Sequence, residues 1–354
     1  MVNNIKFMFN IKNYKVMKNF KLFIGIDISK KTIDVSLLTS EKIKGLPYKR
    51  FDNNTKGYKA MMKWINSMYK FSKNEMLFCM EHTGIYSLNI CCYLNENDIS
   101  FWLENPLQIK RSFGIKRGKN DKLDSKDIAN YAYIHKHNAK LYKMPDKTLL
   151  TLKNLIAYRE RLIKTKVSFK ISSDELKLCD KGIRASICSE SDTIVKSFNK
   201  KIEKIEKQME ELIRLDEKLS HLYQLTTSVK GIGLIIAVHM LVHTNAFTAF
   251  NNARQFACYC GIAPFEYTSG ISIKGKTKVS HLANKKIKSL LSMASLNAIR
   301  YDLEMKDYYE DKIKKGKNPM SILNIIKNKM VGRVFAVVKR DTPYVELKGY
   351  KKAS

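Results

Sequence analysis

The sequence is short of acidic residues. Its 354 residues include 33 Asp and Glu against 65 Lys and Arg, which gives a formal net charge of +32. A coding bias towards Lys would raise Glu and Asp too, so bias alone does not explain this excess. Self-repulsion of this size is tolerated when a polyanion binds and releases counterions. The charge therefore predicts a nucleic-acid partner, and an anionic membrane surface is the weaker alternative because the lysines are spread along the chain.

Paired cysteines and long apolar runs are also missing. The seven cysteines are odd in number and show no C-x2-C pair, so they do not indicate a disulfide framework or a usual zinc half-site. No apolar run reaches transmembrane length, and the N-terminal residues lack the apolar core of a signal peptide. We therefore expect reduced cysteines and a cytoplasmic, nucleoid-associated prokaryotic protein without a membrane segment. Met17 would also serve as a start, so residues 1–16 are a candidate non-native extension.

The first part of the chain alternates between strand and helix patterns. Three strand patterns come first, and helix and strand patterns then follow in turn. This order predicts a mixed sheet with helices on its faces. The predicted strands are 22–28, 32–38, 42–51, 75–81 and 99–104, and the predicted helices are 55–70, 86–98 and 121–136.

The second part is mostly helical in pattern. Residues 148–226 carry apolar residues at steps of three and four, as in a coiled coil. This seam fits a contact between subunits or a helical hairpin within one chain, and the sequence leaves both open. Further on, the patterns predict an apolar helix within 226–242, a helix over 247–263, a loop over 264–280, and helices over 281–300 and 321–338.

Four acidic residues form a candidate metal site. Asp27 lies inside an apolar strand, where an ionised carboxylate costs several kcal/mol unless it is compensated, and a divalent cation would compensate it. Glu81 ends another apolar strand, and Asp121 and Asp124 begin a helix three residues apart, although a helix start alone would explain those two. Asp34 is predicted to lie on the surface. Oxygen-only ligands favour Mg²⁺ or Mn²⁺, and two such ions support phosphodiester chemistry.

Basic and glycine-rich segments are candidate nucleic-acid contacts. The loop "KRGKN" (116–120) and the lysines after the Ser-Gly pair of "TSGISIKGKTK" can attract phosphates. The "KGIG" turn before an apolar helix can offer backbone N–H groups to a phosphate, with a plain turn as the alternative. His239 and His243 are predicted to be packing residues. The predicted contacts are Lys116, Arg117, Lys119, Gly231, Gly233, Lys274, Lys276 and Lys278.

Several segments, taken together and in order, resemble the DEDD transposases of insertion sequences. They are "FIGIDISKKTIDVSLL", "MEHTGIY", "KRGKNDKLDSKDIANYA" and, in the second half, "VKGIGLIIAVHMLVHTNAFTAFNNARQFACYCGIAPFEYTSGISIKGKTKVS". The resemblance covers about residues 21 to 300. It implies an N-terminal α/β domain with the RNase H-like fold of RuvC-type resolvases. It also implies that Asp27, Glu81, Asp121 and Asp124 are the catalytic, metal-binding tetrad.

The family resemblance implies a role for Ser269 that the neighbouring sequence alone does not indicate. From the sequence alone, Ser269 and Gly270 are best interpreted as a solvated turn. The family resemblance implies instead that Ser269 is a catalytic nucleophile that joins transiently to a DNA phosphate. Downstream, the family commonly has Ser-Lys-x-Gly and then an Arg. This chain has His281, Ala283 and Lys288 at the corresponding places, and Lys288 keeps the charge without bidentate geometry.

The resemblance also implies partners and an architecture. The partners are double-stranded DNA at element ends and target, a structured bridge RNA that guides recognition by base pairing, and further copies of the chain in a dimer or tetramer with a composite active site. The alternatives are a junction-resolving endonuclease that uses only the tetrad, and an inactive nucleic-acid-binding protein. The expected segments are a basic extension (1–20), a RuvC-like domain (21–145), a helical coiled-coil connector (146–226), a mainly α-helical transposase domain (227–342) and a basic tail (343–354).

Overall fold

The structure of the chain is a computed structural model that describes residues 19–40, 45–114, 120–175, 181–269, 273–279 and 282–345, with the side chains of 172–173, 181–187, 267–269, 273–274, 276 and 278 left out. It divides into two compact units, Met1–Met144 and Pro145–Ser354. The finer division of the second unit near residue 227 stays a prediction. No helix in the described ranges is long and apolar enough to cross a membrane.

The first unit is built on a five-stranded mixed sheet. Strands β1, β2 and β3 pair antiparallel, while β4 and β5 continue from β1 in parallel, giving the order β3-β2-β1-β4-β5. This sheet and its covering helices confirm the predicted RNase H-like α/β fold. The strands are β1 (Leu22–Ile28), β2 (Thr32–Thr39), β3 (Tyr48–Asp52), β4 (Met76–Glu81) and β5 (Phe101–Glu104).

Side chains of β1 alternate between two cores. Ile24, Ile26 and Ile28 enter the core on one face of the sheet, which α1 and α2 complete. Phe23 enters the core on the other face, where α3 and α4 pack. The central strand is therefore apolar on both faces, as is typical of a strand covered on both sides. The helices of this unit are α1 (Thr55–Met68), α2 (Ile85–Glu96), α3 (Pro106–Ser112) and α4 (Asp121–Ile134).

The second unit is mainly helical, as predicted. Its helices are α5 (Lys147–Glu175), α6 (Lys181–Leu215), α7 (Glu217–Thr227), α8 (Leu234–His243), α9 (Ala253–Tyr259), α10 (Lys285–Tyr301), α11 (Leu303–Lys314) and α12 (Pro319–Arg340).

The predicted apolar seam packs within the chain. Ile205 and Met209 of α6 lie in one core with Leu152 of α5 and Val238 of α8. Asp216 then interrupts the seam, because its side chain accepts a hydrogen bond from the backbone of Leu219 and caps α7. The hairpin alternative therefore accounts for the buried part of the seam, and a coiled coil between subunits stays a prediction.

Two predictions about residues 247–280 are wrong. The predicted helix over 247–263 is shortened to α9, because residues 245–247 take left-handed backbone conformations (φ 50°, 53° and 60°) and Asn252 caps a new helix. The predicted loop over 264–280 contains an antiparallel hairpin of β6 (Pro264–Ser269) and β7 (Ile273–Val279). The residues Phe265, Tyr267 and Thr268 favour strands, and the surrounding lysines and glycines concealed that preference.

Candidate active site

Asp27 and Glu81 lie at the carboxyl ends of neighbouring parallel strands. The register pairs Ile26 of β1 with Met80 of β4, so Asp27 and Glu81 are the next residues along both strands. Both side chains are half-buried. Since alternate residues share a face, Asp27 lies on the face of Phe23 rather than on that of its isoleucine neighbours. This alternation explains how an aspartate is accommodated inside an apolar strand.

Helix α4 covers this face and carries the other two carboxylates. Its approach depends on Gly25, because a Cβ there would lie 2.2 Å from the carbonyl oxygen of Ser125 and 2.3 Å from the nitrogen of Ala129. A buried hydrogen bond of 2.8 Å between the hydroxyls of Ser36 and Ser125 ties α4 to β2. These contacts hold the first turns of α4 beside the end of β1.

Asn120 is the N-cap residue of α4. Its side-chain oxygen accepts a hydrogen bond of 2.8 Å from the backbone nitrogen of Leu123. Asp121 and Asp124 follow in the first turn, where the helix dipole favours negative charge. Neither is needed as the cap, so the helix start does not by itself explain both of them.

The acidic residues act on each other electrostatically. The pKa of Asp27 is raised from its ordinary value of 3.8 to about 6, chiefly by burial and then by the negative charges of Asp124, Asp121 and Glu81, in that order of strength. Asp34 contributes the weakest effect. A carboxyl beside several others resists ionisation unless a cation neutralises them. The first unit thus concentrates negative charge within a chain of net charge +32.

The donor set fits a hard divalent cation, but the side chains are not arranged as a finished coordination shell. Carboxylate oxygens are the ligands that Mg²⁺ and Mn²⁺ prefer. Within the described ranges, no three or more His, Cys, Asp or Glu side chains are grouped closely enough to hold one ion. One reason is that Asp121 is drawn towards Arg50, whose Nη2 lies 3.0 Å from its Oδ2. If these carboxylates are to hold one ion together, their side chains would have to rotate.

Ser269 belongs to the second unit and ends β6. Its backbone pairs with that of Ile273, the first residue of β7. The base of the hairpin is anchored to the helices: Arg254 Nη2 donates a 3.0 Å hydrogen bond to the carbonyl oxygen of Pro264. Ser269 is therefore carried at the far end of a hairpin that is fixed at its base.

Comparison with known proteins identifies the family. A family model described as a transposase, of the DEDD type found in the insertion element IS110, matches residues 24–176. A second model, described as a transposase of the IS116/IS110/IS902 family, matches residues 223–310. The chain belongs to the IS110 transposase family. The two matches cover the acidic cluster and the Ser269 hairpin, respectively.

Curated relatives agree with this membership. The chain is 26% identical over 329 residues to the pilin gene-inverting proteins of Moraxella bovis and Moraxella lacunata, covering 92% of this chain and 98% of each relative. It is 27% identical over 118 residues to the "Insertion element IS110 uncharacterized 43.6 kDa protein" of Streptomyces coelicolor, which covers 33% of this chain and 29% of the relative. Membership in this transposase family makes the chain a DNA-modifying enzyme, with DNA as its substrate.

The structure describes only some of the residues that are predicted to contact nucleic acid. Lys116, Arg117 and Lys119 lie outside the described residues. Lys274, Lys276 and Lys278 occupy alternate positions of β7, and their side chains lie outside the description. These contacts stay predictions.

The glycine turn before α8 has a packing role at one position. At Gly231 φ is +89°, and a Cβ would meet the carbonyl oxygen of Ala294 in α10 at 2.7 Å. Gly233 is exposed at the start of α8, and nothing lies within 4 Å of a Cβ placed there. Packing against α10 therefore explains Gly231, and the phosphate contact of both glycines stays a prediction.

The position of Asp34 differs from the prediction and points to Arg50 as a functional candidate that the sequence did not reveal. The prediction that Asp34 lies on the surface is wrong: it is 1% exposed, opposite Asp27 in the β1–β2 pairing. Its carboxylate accepts hydrogen bonds from Tyr48 Oη at 2.5 Å and from Arg50 Nε at 3.0 Å. Because Arg50 also contacts Asp121, it links a buried carboxylate to the tetrad. In the sequence, this link is indicated only by the alternation of β3, which places Tyr48 and Arg50 on the same face of the strand.

Proposed function

We propose that the chain catalyses cleavage and exchange of DNA strands at insertion-element ends. The observation that supports this most directly is the electrostatic coupling of Asp27 to Glu81, Asp121 and Asp124 at the carboxyl ends of β1 and β4. These four carboxylates would hold Mg²⁺ or Mn²⁺, which would supply Lewis-acid stabilisation of a phosphodiester under attack. Cytoplasmic, nucleoid-associated action is part of the same proposal.

Ser269 is the proposed nucleophile. Its hydroxyl oxygen attacks the phosphorus of a DNA phosphodiester and forms a new oxygen–phosphorus bond. The bond from phosphorus to the leaving strand breaks, and the proton that the serine gives up balances the one that the leaving oxygen takes up to become a hydroxyl. Attack by the hydroxyl of another strand reverses these steps and releases Ser269. The phosphodiester is conserved throughout, so no oxidant or energy-rich cofactor is required. The same chemistry would support inversion of a DNA segment, which is what the printed names of the Moraxella relatives describe.

Covalent trapping on labelled DNA tests the serine. We expect the wild-type chain and a Ser272→Ala control, three residues further along, to form a DNA adduct that survives denaturation. Ser269→Ala should form none while still binding DNA. An active Ser269→Ala variant would instead support an endonuclease that depends on the acidic cluster alone.

Substitution within the acidic cluster tests the metal site separately. Asp27→Asn should abolish cleavage with DNA binding retained, whereas Asp127→Asn, one turn along the same helix as Asp124, should retain cleavage. Full activity of Asp27→Asn would overturn the tetrad proposal. Absence of cleavage in the wild-type chain and in every variant, with DNA binding intact, would leave a nucleic-acid-binding protein.

The guide RNA and the assembly are further parts of this proposal. We expect RNA that copurifies with the chain to map to a structured noncoding segment beside its reading frame. We also expect a dimer or tetramer, with the acidic cluster of one copy serving the Ser269 hairpin of another. Mixing Asp27→Asn with Ser269→Ala chains should then restore adduct formation, and failure of this complementation would contradict a site shared between subunits.

A further inference from the structure

Helix α12 contains a buried lysine with an unusual environment. Lys327 is 3% exposed, between the core residue Ile326 and the polar Asn328. Lysine is almost never fully buried unless its ammonium group is paired. Among the described residues, none accepts a hydrogen bond from this ammonium group or forms an ion pair with it.

A second lysine makes the burial more costly. Helix α10 packs against α12 through the shared core of Ile287, Leu291, Ile326 and Met330. Lys288, the neighbour of Ile287, is half-buried and also has no carboxylate partner in the described part of the chain. Burial lowers the pKa of Lys327, and the positive charge of Lys288 lowers it further. Two cations on packed helices therefore repel each other, and no described carboxylate pairs with either of them.

The surroundings of this pair connect it to the hairpin. Asn324 and Asn328, which flank Lys327 along α12, both donate hydrogen bonds to the carbonyl oxygen of Ile262, at 2.7 and 2.8 Å. Ile262 lies two residues before β6, and Lys288 lies in the second turn of the helix that follows β7. The residue that precedes β6 by two positions is thus bonded to α12 beside Lys327, and Lys288 belongs to the helix that follows β7 in the sequence.

We propose that Lys288 and Lys327 form a binding site for one backbone phosphate of a nucleic acid, at the base of the Ser269 hairpin. A phosphodiester oxygen would supply the missing acceptor for both ammonium groups. A phosphate is preferred over a protein carboxylate as the partner because the chain has a net charge of +32 and belongs to a family that acts on DNA. This proposal rests on one part of the proposed function, namely that nucleic acid binds the second unit. It would position a strand, not act on it chemically.

The salt dependence of binding tests this site. Binding of a DNA duplex and of an RNA duplex would be measured against salt concentration, on a Ser269→Ala background so that strand chemistry has no influence. Loss of one phosphate contact lowers the slope of log K against log salt by about 0.9. We expect this loss in Lys327→Met and in Lys288→Met, equally for unrelated base sequences. Lys327→Arg and the exposed control Lys339→Met, on the same helix, should keep the wild-type slope.

Thermal unfolding without nucleic acid gives an independent readout. Removing an unpaired buried charge should leave Lys327→Met folded, with a Tm at or above that of the wild-type chain. An unchanged salt slope in both Lys327→Met and Lys288→Met would overturn the proposal. A second result would also overturn it. If inorganic phosphate raises the Tm of the wild-type chain but not that of Lys327→Met, while both chains have the same salt slope for nucleic-acid binding, the ligand of the site is free phosphate. If the chain with Ser269 forms no covalent adduct while the lysine substitutions still reduce the slope, the proposed function is contradicted and this site remains supported.

Discussion

Gly25 of β1 and Ala129 of α4 meet backbone to backbone: a Cβ on Gly25 would lie 2.3 Å from the nitrogen of Ala129. Backbone atoms cannot rotate away as the end of a side chain can. The same glycine lies two residues before Asp27, and Ala129 lies one turn beyond Ser125 and Asp124. The closeness of this contact therefore sets the distance between the carboxylates of the strand and those of the helix.

Gly25→Ala should destabilise the first unit and disable the site. Overpacking a core typically costs roughly 1 to 3 kcal/mol, and we expect about 3 kcal/mol because the obstructing atoms are backbone. Urea unfolding would measure this loss. Gly332→Ala is the control, because nothing lies within 4 Å of a Cβ at this position inside α12, and alanine favours helix. Equal unfolding midpoints for Gly25→Ala and the wild-type chain would show that α4 moves aside freely.

Asp27→Asn should stabilise the metal-free chain at neutral pH. The pKa of Asp27 is raised from 3.8 to about 6, so the folded state holds this proton more tightly than the unfolded state does. The wild-type chain therefore loses stability relative to the variant as pH rises from about 4 to 6, and the difference stays constant above 6. We expect a difference of about 1 to 2 kcal/mol above pH 6, measured by urea unfolding with chelator present.

Mg²⁺ should reverse this ranking. A cation that binds the carboxylates of the folded state stabilises it by mass action. Added Mg²⁺ should raise the Tm of the wild-type chain and of an Asp52→Asn control, an exposed carboxylate at the end of β3, and raise that of Asp27→Asn much less. Equal Mg²⁺ responses in all three would contradict a metal centre at Asp27.

Periodicity predicted most of the fold because each element has one dominant pattern. The apolar run of β1, the alternation in β2 and the 3.6-residue pattern of α1 each predicted the element, although the burial of the second face of β2 was missed. The hairpin of β6 and β7 was missed since its residues mix aromatic, small and cationic side chains. The short helices α3 and α11 are defined by local caps, from Asn105 and Asp302 respectively, rather than by a long apolar stripe.

The carboxylates themselves could be chosen from the sequence, but their contacts could not. Asp27 was conspicuous among isoleucines, and Asp121 and Asp124 were conspicuous by their spacing. Asp34 has the same local pattern as a surface residue of an alternating strand. It is buried because α4 covers that face of the sheet, and α4 lies some ninety positions further along the chain. Long-range packing of this kind leaves no local signal, and the link through Arg50 depends on it.

Arg50 should be energetically coupled to Asp34. The carboxylate of Asp34 is 1% exposed, so removing its cation leaves a buried charge that is only partly satisfied by Tyr48. Because the side chain of Arg50 is about half exposed, at 52%, we expect Arg50→Met to cost only about 1 to 2 kcal/mol. A double-mutant cycle with Asp34→Asn should give a coupling of about 1 kcal/mol.

Two further variants define the role of Arg50. Arg50→Lys should recover little of the loss, because one ammonium group cannot reach Asp34 and Asp121 with the geometry of a guanidinium. Lys49→Met is the control: it removes the adjacent exposed cation of β3, which lies over the Phe51 ring and not beside a carboxylate. Additive effects of Arg50→Met and Asp34→Asn would show that the observed hydrogen bonds contribute no stability.

His239 should make the second unit sensitive to acid. Its pKa is lowered to about 3, chiefly by burial and then by the positive charges of His243, Lys286 and Arg159. Glu160 Oε1 lies 3.5 Å from His239 Nε2, which is longer than a normal hydrogen bond. The unfolded chain takes up this proton near pH 6.5 and the folded chain only near pH 3, so stability conferred by the neutral ring is lost as pH falls between these values.

His239→Gln isolates this contribution. The free energy of unfolding of the wild-type chain minus that of the variant should fall as pH is lowered from 7 to 4, by up to about 1.4 kcal/mol per pH unit, the limit for one proton. The pKa of His243 is also lowered, to about 4, chiefly by burial and then by the positive charge of Lys153; the part of that titration that does not depend on His239 persists in the variant and cancels in the difference. His137→Gln, which replaces an exposed histidine, is the matched control. A difference for His239→Gln that stays constant with pH would mean that the ring is protonated equally in both states, and that packing of α8 against α5 tolerates the charge.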